Sequence, residues 1–163
     1  MKKAIICDID GCVLDTDWIW EEIEKQKLDG LKKWEFFNKN SCDLEKSEPQ
    51  DLLIKLINGD MFSMQHELIF STARSEIIRK ETREILEKMF AGRDFILLMR
   101  PEDCLLPSWQ VKEQHLNEIL KNYEVTSAID NEEPNCEMYR RHKINCLEWN
   151  IEEQKQKMEL VGC

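Results

Sequence analysis

Five short apolar runs separated by amphipathic stretches set the rhythm of this chain. "KAIICDI" (3–9), "ELIFST" (67–72), "DFILLM" (94–99), "VTSAID" (125–130) and "INCLEW" (144–149) are aliphatic, bounded by charge and too short for buried helices. They read as buried strands. Between them, "SEIIRKETREILEKMF" (75–90) brings Ile78, Thr82, Ile85, Leu86 and Met89 to one helical face with charges opposite, and Ser75 is its candidate cap. "SWQVKEQHLNEILKNY" (108–123) repeats the pattern with Val111, His115, Leu116 and Ile119, capped by Ser108 after Pro107. "EEPNCEMYRRH" (132–142) is a short helix that tolerates Pro134 in its first turn. Strands alternating with helices predict an α/β domain with a mainly parallel sheet.

Residues 16–60 break the rhythm. Trp18, Trp20, Trp34, Phe36 and Phe37 crowd into a stretch rich in Lys and Glu, read as two or three helices separated by "KNSCDLEKSEPQ" (39–50). The last of these helices (49–59) leads back into the core. The stretch is far longer than a usual strand connection. It is expected to be a helical insertion over one end of the sheet, with residues 16–48 as a small cap on a single domain spanning 1–163. Aromatic clusters of this kind are more often core than binding surface. The charged tail "EEQKQKMELVGC" suits either a last helix or a frayed end.

Composition narrows the class. The chain has 163 residues, 42% of them hydrophobic, enough for a globular core. No apolar run approaches the roughly 20 residues a membrane helix needs. "MKKAII" is basic then apolar, but Asp8 interrupts it too early for a secretory leader. Seven cysteines lie scattered without a C-x-x-C pair or zinc spacing, which suits reduced, mostly buried thiols and a cytoplasmic protein. A net charge of −10 argues against an extended basic surface for nucleic acid while leaving room for a small positive pocket.

Four polar features fall at predicted strand ends: Asp8 and Asp10 after the first strand, Thr72 and Arg74 after the second, Lys112 in the helix after the third, and Asp130 with Asn131 after the fourth. Ligands bind at the carboxyl ends of strands in open parallel sheets, so these residues are expected to converge. A carboxylate pair such as Asp8 and Asp10 suits a cation, a shared proton or a turn. The set as a whole fits phosphoryl chemistry. Asp8 can attack phosphorus. Its repulsion from phosphate calls for a divalent cation, and magnesium suits the oxygen donors of Asp8, a turn carbonyl and Asp130. Asp10 is placed to protonate the leaving oxygen and then activate water. Gly11 permits a tight turn that offers backbone N–H groups to phosphate. Thr72 can donate to a phosphate oxygen, and Lys112 can neutralise charge in the transition state. Arg74 and Arg100 are further candidates for substrate contact.

"DIDGCVLD" (8–15), followed by Thr72, Lys112 and "AIDNEE" (128–133), resembles the haloacid dehalogenase (HAD) type phosphatases over nearly the whole chain. A closer likeness is to the phosphatase domain of bacteriophage polynucleotide kinase. It is carried by "DLEK" (43–46), "TAR" (72–74), "MRP" (99–101) and "AIDNEEPNCEMYRRHKINC" (128–146). The resemblance implies a Rossmann-like three-layer sandwich with a five-stranded sheet. It also implies a magnesium-dependent phosphomonoesterase working through an aspartyl phosphate on Asp8. Asp10 would be general acid and base, with magnesium held by Asp8, the Asp10 main chain, Asp130 and Asn131. The expected substrate is a 3′-phosphate end of nucleic acid. A nucleotide or small-metabolite phosphatase and a non-catalytic phosphate-binding module are the alternatives. Three positions depart from the pattern: Cys12 where Thr is common, Ala73 for Gly, and Asn131 for a second Asp, with Glu132 and Glu133 nearby.

Overall fold

The structure, a computed structural model, describes residues 1–59 and 65–161. Strand β1 (Lys2–Cys7) is central. It pairs with β4 (Glu67–Ser75) on one side and β6 (Tyr123–Asp130) on the other. Strands β5 (Phe95–Arg100) and β7 (Cys146–Glu148) take the edges, so the order is β5-β4-β1-β6-β7 with every pairing parallel. The chain builds outward from β1 to β4 and β5, then returns to place β6 on β1's other side. That reversal opens a crevice at the carboxyl ends of β1 and β6.

Period-two alternation in the strands builds a core on each face. Ile5 and Cys7 of β1 and Phe70 of β4 pack with Leu53 and Ile57 of α3 (Asp51–Asn58) and Leu86 of α4 (Arg79–Met89). Ala4, Ile6 and Ile69 point the other way, against Leu116 of α5 (Ser108–Ile119) and Met138 and Tyr139 of α6 (Glu133–Arg141). The result is the three-layer α/β/α arrangement that the resemblance implies. Phe70 meets Phe90 and Phe95 edge-on at 5.2 and 5.4 Å, which fills the space under the β4–β5 edge.

All five strands and the three core helices lie where the apolar pattern placed them, with end shifts of a few residues. The helix expected at 75–90 opens as a 3-10 turn (Glu76–Ile78), where Ser75 Oγ accepts from the Ile77 N–H at 3.3 Å as a cap should. Ser108 does not cap α5. It is already helical, Pro107 stands at the cap position, and Ser108 Oγ accepts from Asn135 Nδ2 instead.

Helices α1 (Asp17–Lys25) and α2 (Gly30–Asn40) form the inserted segment. A ribbon absent from the apolar pattern joins the segment's two ends: β2 (Leu14–Asp15) runs antiparallel to β3 (Glu48–Pro49). Each strand is two residues long, too short to show alternation. Helix α7 (Ile151–Leu160) anchors this stem through Lys155, whose Nζ lies 2.9 Å from Asp15 Oδ2. The six described cysteines are free, and Cys163 lies outside the described residues. No helix among the described residues is long and apolar enough to cross a membrane.

One half-buried titratable group, His115, ties the layers together. Ser71 Oγ lies 2.9 Å from His115 Nδ1, and His115 Nε2 lies 3.1 Å from the Met99 carbonyl. The carbonyl must accept, so Nε2 carries the proton and Nδ1 accepts from Ser71. Burial pushes the imidazole down to about 4, with the positive charge of Lys112 adding to it and the Met99 bond partly opposing. The unfolded chain therefore binds a proton that the native state refuses between about pH 6.5 and 4. Stability contributed by neutral His115 is expected in full above pH 6.5 and to decline as the pH falls towards 4, by at most about 3 kcal/mol. Urea unfolding at pH 7 and 4.5 should show a smaller acid loss in His115→Gln than in the parent.

Candidate active site

The crevice at the ends of β1 and β6 holds a compact set of charges. Asp8 follows β1, and its N–H donates to the Ile129 carbonyl at 3.0 Å, fixing it beside β6. Its carboxylate Oδ2 lies 3.0 Å from Lys112 Nζ, which also donates to Asp130 Oδ2 at 2.6 Å. All three side chains are almost wholly buried. Burial pushes the Asp8 carboxyl up to about 8, with Lys112 opposing the rise and Asp130 and Asp10 adding to it. Burial works against the Lys112 ammonium as well, yet Asp130 and Asp8 outweigh it and hold it well above its ordinary value.

The turn after Asp8 is tight. The Cys12 and Leu14 N–H groups both reach the Ile9 carbonyl. Gly11 has φ +74, and a Cβ there would stand 2.2 Å from Asn131 Nδ2. Its own N–H donates to the Leu14 carbonyl at 2.9 Å. Gly11 lines the cavity and lets the first motif and Asn131 lie against each other.

A second charge cluster stands next to the first. Arg74 Nε and Nη2 donate to the two oxygens of Asp10, each at 2.8 Å, a bidentate pair. Thr16 Oγ1 donates to the same carboxylate at 3.1 Å. The rest of the guanidinium is also spoken for. Nη2 donates to the Ser41 carbonyl at 2.8 Å, and Nη1 to Cys42 Sγ and Thr82 Oγ1. The arginine foreseen as a substrate contact is thus a clamp on Asp10 and on the end of α2. Arg100 is likewise engaged, donating to the carbonyls of Ala73, Cys104 and Leu106, so it organises the loop after β5.

Thr72 lines the cavity with Asp8 and Lys112, while Ser71 turns to His115. Asp130 and Asn131, expected together on a cation, differ in exposure. Asp130 is fully buried and both its oxygens are taken, Oδ2 by Lys112 and Oδ1 by the Glu132 N–H and Asn135 Nδ2. Asn131 is exposed and lines the cavity. Asn135, Thr16, Thr82 and Ser41 were missed from the sequence, because each acts by touching a charged residue that only folding brings near.

Asp8, Asn131 and the Asp10 turn meet in one cavity of about 610 Å³. Their donors are all oxygen, the chemistry of a hard divalent cation that keeps several waters. Among the described residues no group of three or more His, Cys, Asp or Glu side chains is arranged to hold an ion by itself, so main-chain and amide oxygens would have to complete a set. Once Asp8 is ionised, three carboxylates (Asp8, Asp10, Asp130) face two cations (Lys112, Arg74), which leaves the centre short of positive charge for an anionic ligand.

A family model described as the polynucleotide kinase PNKP phosphatase domain matches residues 2–153. Two structures of the Pnkp1/Rnl/Hen1 complex, one described as an RNA repair complex, share the fold. One chain is 22% identical with a TM-score of 0.68, covering 91% of this chain and 42% of its own length. The other is 22% identical with a TM-score of 0.69, covering 92% and 46%. This chain therefore spans less than half the length of either. A haloacid dehalogenase-like hydrolase, SP0104 from Streptococcus pneumoniae, is 11% identical with a TM-score of 0.60, covering 90% of this chain and 83% of its own. No curated protein matches the sequence significantly.

Gly11→Ala should cost about 1–2 kcal/mol of stability, because an L-residue is strained at this φ and Asn131 must move aside. The midpoint of urea unfolding reads it. Gly92→Ala supplies the comparison: φ there is +82, but a Cβ would meet nothing.

Proposed function

The chain belongs to the polynucleotide kinase PNKP phosphatase domain family and is a HAD-type phosphatase, and we propose that it removes 3′-phosphates from nucleic-acid ends through an aspartyl phosphate on Asp8. The observation that carries this reading is the buried Asp8–Lys112–Asp130 triad beside the cavity, with Asp10 two residues from Asp8. We read residues 16–48, whose two short helices wall one side of the cavity, as a small cap that admits a strand end.

In the first step an Asp8 oxygen forms a bond to phosphorus and the bond to the ester oxygen breaks, with Asp10 giving a proton to the leaving oxygen. In the second, water attacks the phosphorus, Asp10 takes its proton, and the bond to Asp8 breaks to release phosphate. Both oxygens of Asp10 accept in the arrangement seen, which suits the base of the second step. For the first step the carboxyl must carry a proton, so the Arg74 clamp has to free one oxygen. Lys112 holds Asp8 in position and stands beside the phosphoryl oxygens, with Asp130 and Asn135 fixing the ammonium from behind. Thr72 donates to a phosphoryl oxygen. Magnesium held by Asp8, the Asp10 main chain and Asn131 would supply the positive charge that the centre lacks. Asp130 serves that set through Lys112.

Phosphate release from a 3′-phosphorylated oligonucleotide should require magnesium, stop with chelator and vanish in Asp8→Asn. It should exceed release from a panel of nucleotide monophosphates. Preference for the monophosphates would move the function to small nucleotides, and no release from either would favour a binding module. Arg74→Lys keeps the charge but loses the fork, so kcat should fall by about 10²-fold or more.

A further inference from the structure

The cavity that holds Asp8 extends to an aromatic wall. Trp20 of α1 stacks on Phe37 of α2 at 5.0 Å and 29°, and Trp34 meets Trp20 edge-on at 6.0 Å and 88°. Phe37 is buried, but Trp20 is 37% and Trp34 47% exposed, both lining the cavity with Asp8 and Thr72. The cluster expected to be core is therefore split between a buried base and an open face. Leu31 and Leu105, 81% and 98% exposed, line the same space from α2 and from the loop after β5. Lys33 Nζ lies 5.3 and 5.2 Å from the centres of the Trp20 and Trp34 rings.

We propose that the exposed Trp34 ring, braced edge-on by Trp20 and Phe37, is a stacking platform for the terminal nucleobase of the strand whose 3′-phosphate reaches Asp8. This rests on the reading that Asp8 works on such a phosphate. Two observations and one general property of nucleobases favour a base as the occupant. The apolar face and the phosphate crevice are one continuous cavity, so a group attached to the phosphate has to meet it. With a net charge of −10, the chain cannot draw in a polyanion by its overall field, so grip on the strand must come from apolar contact near the site. Every base has a π-face, and aromatic stacking binds single strands without reading their sequence. Lys33 brings positive charge to the platform, where a neighbouring phosphodiester of the strand would lie.

The test uses the full chain with Asp8→Asn, so that binding is read without turnover. Two 3′-phosphorylated trinucleotides are titrated, one complete and one abasic at its 3′ residue, and tryptophan emission is followed. The complete ligand should quench the emission and bind about tenfold tighter than the abasic one. Adding Trp34→Ala should erase that difference, and Trp34→Phe should keep most of it. Equal binding of the two ligands, or a difference that survives Trp34→Ala, overturns the platform. Turnover by the parent chain is scored separately. Hydrolysis of both trinucleotides with equal binding discards the platform and leaves the phosphatase reading intact. Base-dependent binding without hydrolysis keeps the platform and discards the 3′-phosphatase reading.

Discussion

Three carboxylates held at one edge of a parallel sheet are the constraint to which the rest of the molecule answers. Asp8 and Asp130 are buried, Asp10 is largely so, and their mutual repulsion in a poorly solvated crevice has to be met inside the protein. Lys112 bridges two of them and Arg74 grips the third. Removing charge from water costs several kcal/mol per ion unless geometry and hydrogen bonding are good, so each cation must arrive in a fixed position. Lys112 is delivered by the first turns of α5, and Arg74 by the irregular end of β4 where the register with β5 shifts. The sheet edge, the start of α5 and the loop after β4 are therefore not independent elements.

Arg74 also carries this constraint outward. Its remaining donors reach the Ser41 carbonyl, the Cys42 thiol and Thr82, so the group that holds Asp10 is the group that holds the end of the inserted segment. The β2–β3 ribbon and Lys155 fix the segment's stem on the other side. Movement of α1 and α2 is thereby coupled to the carboxylate proposed as acid and base. The same segment presents its tryptophans to the cavity, so positioning of the proton-transfer group and shaping of the substrate wall share one support.

An acidic protein that acts on an anion has to solve recognition locally. The net charge of −10 is spread over the surface, while the crevice concentrates Lys112 and, on the proposed reading, a divalent cation. Field lines from surface carboxylates are screened over roughly a Debye length, whereas buried charges at 3 Å are not. The site can thus be attractive to one phosphate on a protein that is not attractive to a long polyanion.

Much of this was legible in the sequence, for reasons that are local. Strand and helix positions follow from periods of two and 3.6, which neighbours along the chain impose on each other. The order Asp8, Thr72, Lys112, Asp130 marks the carboxyl edge because a parallel sheet puts every such strand end on one side. What the sequence left open depends on partners far along the chain. Arg74 and Arg100 read as free cations until Asp10, Ser41, Ala73 and Cys104 are brought beside them. Asp130 outranks Asn131 as a ligand by charge alone, yet folding buries Asp130 against Lys112, Asn135 and a backbone amide and leaves Asn131 in the cavity. Trp20 and Trp34 look like core, but two short helices cannot bury every ring they carry. Residue type and spacing determined which chemistry was present. Only the tertiary structure decided which group meets which, because a buried charge takes its role from the partner that neutralises it.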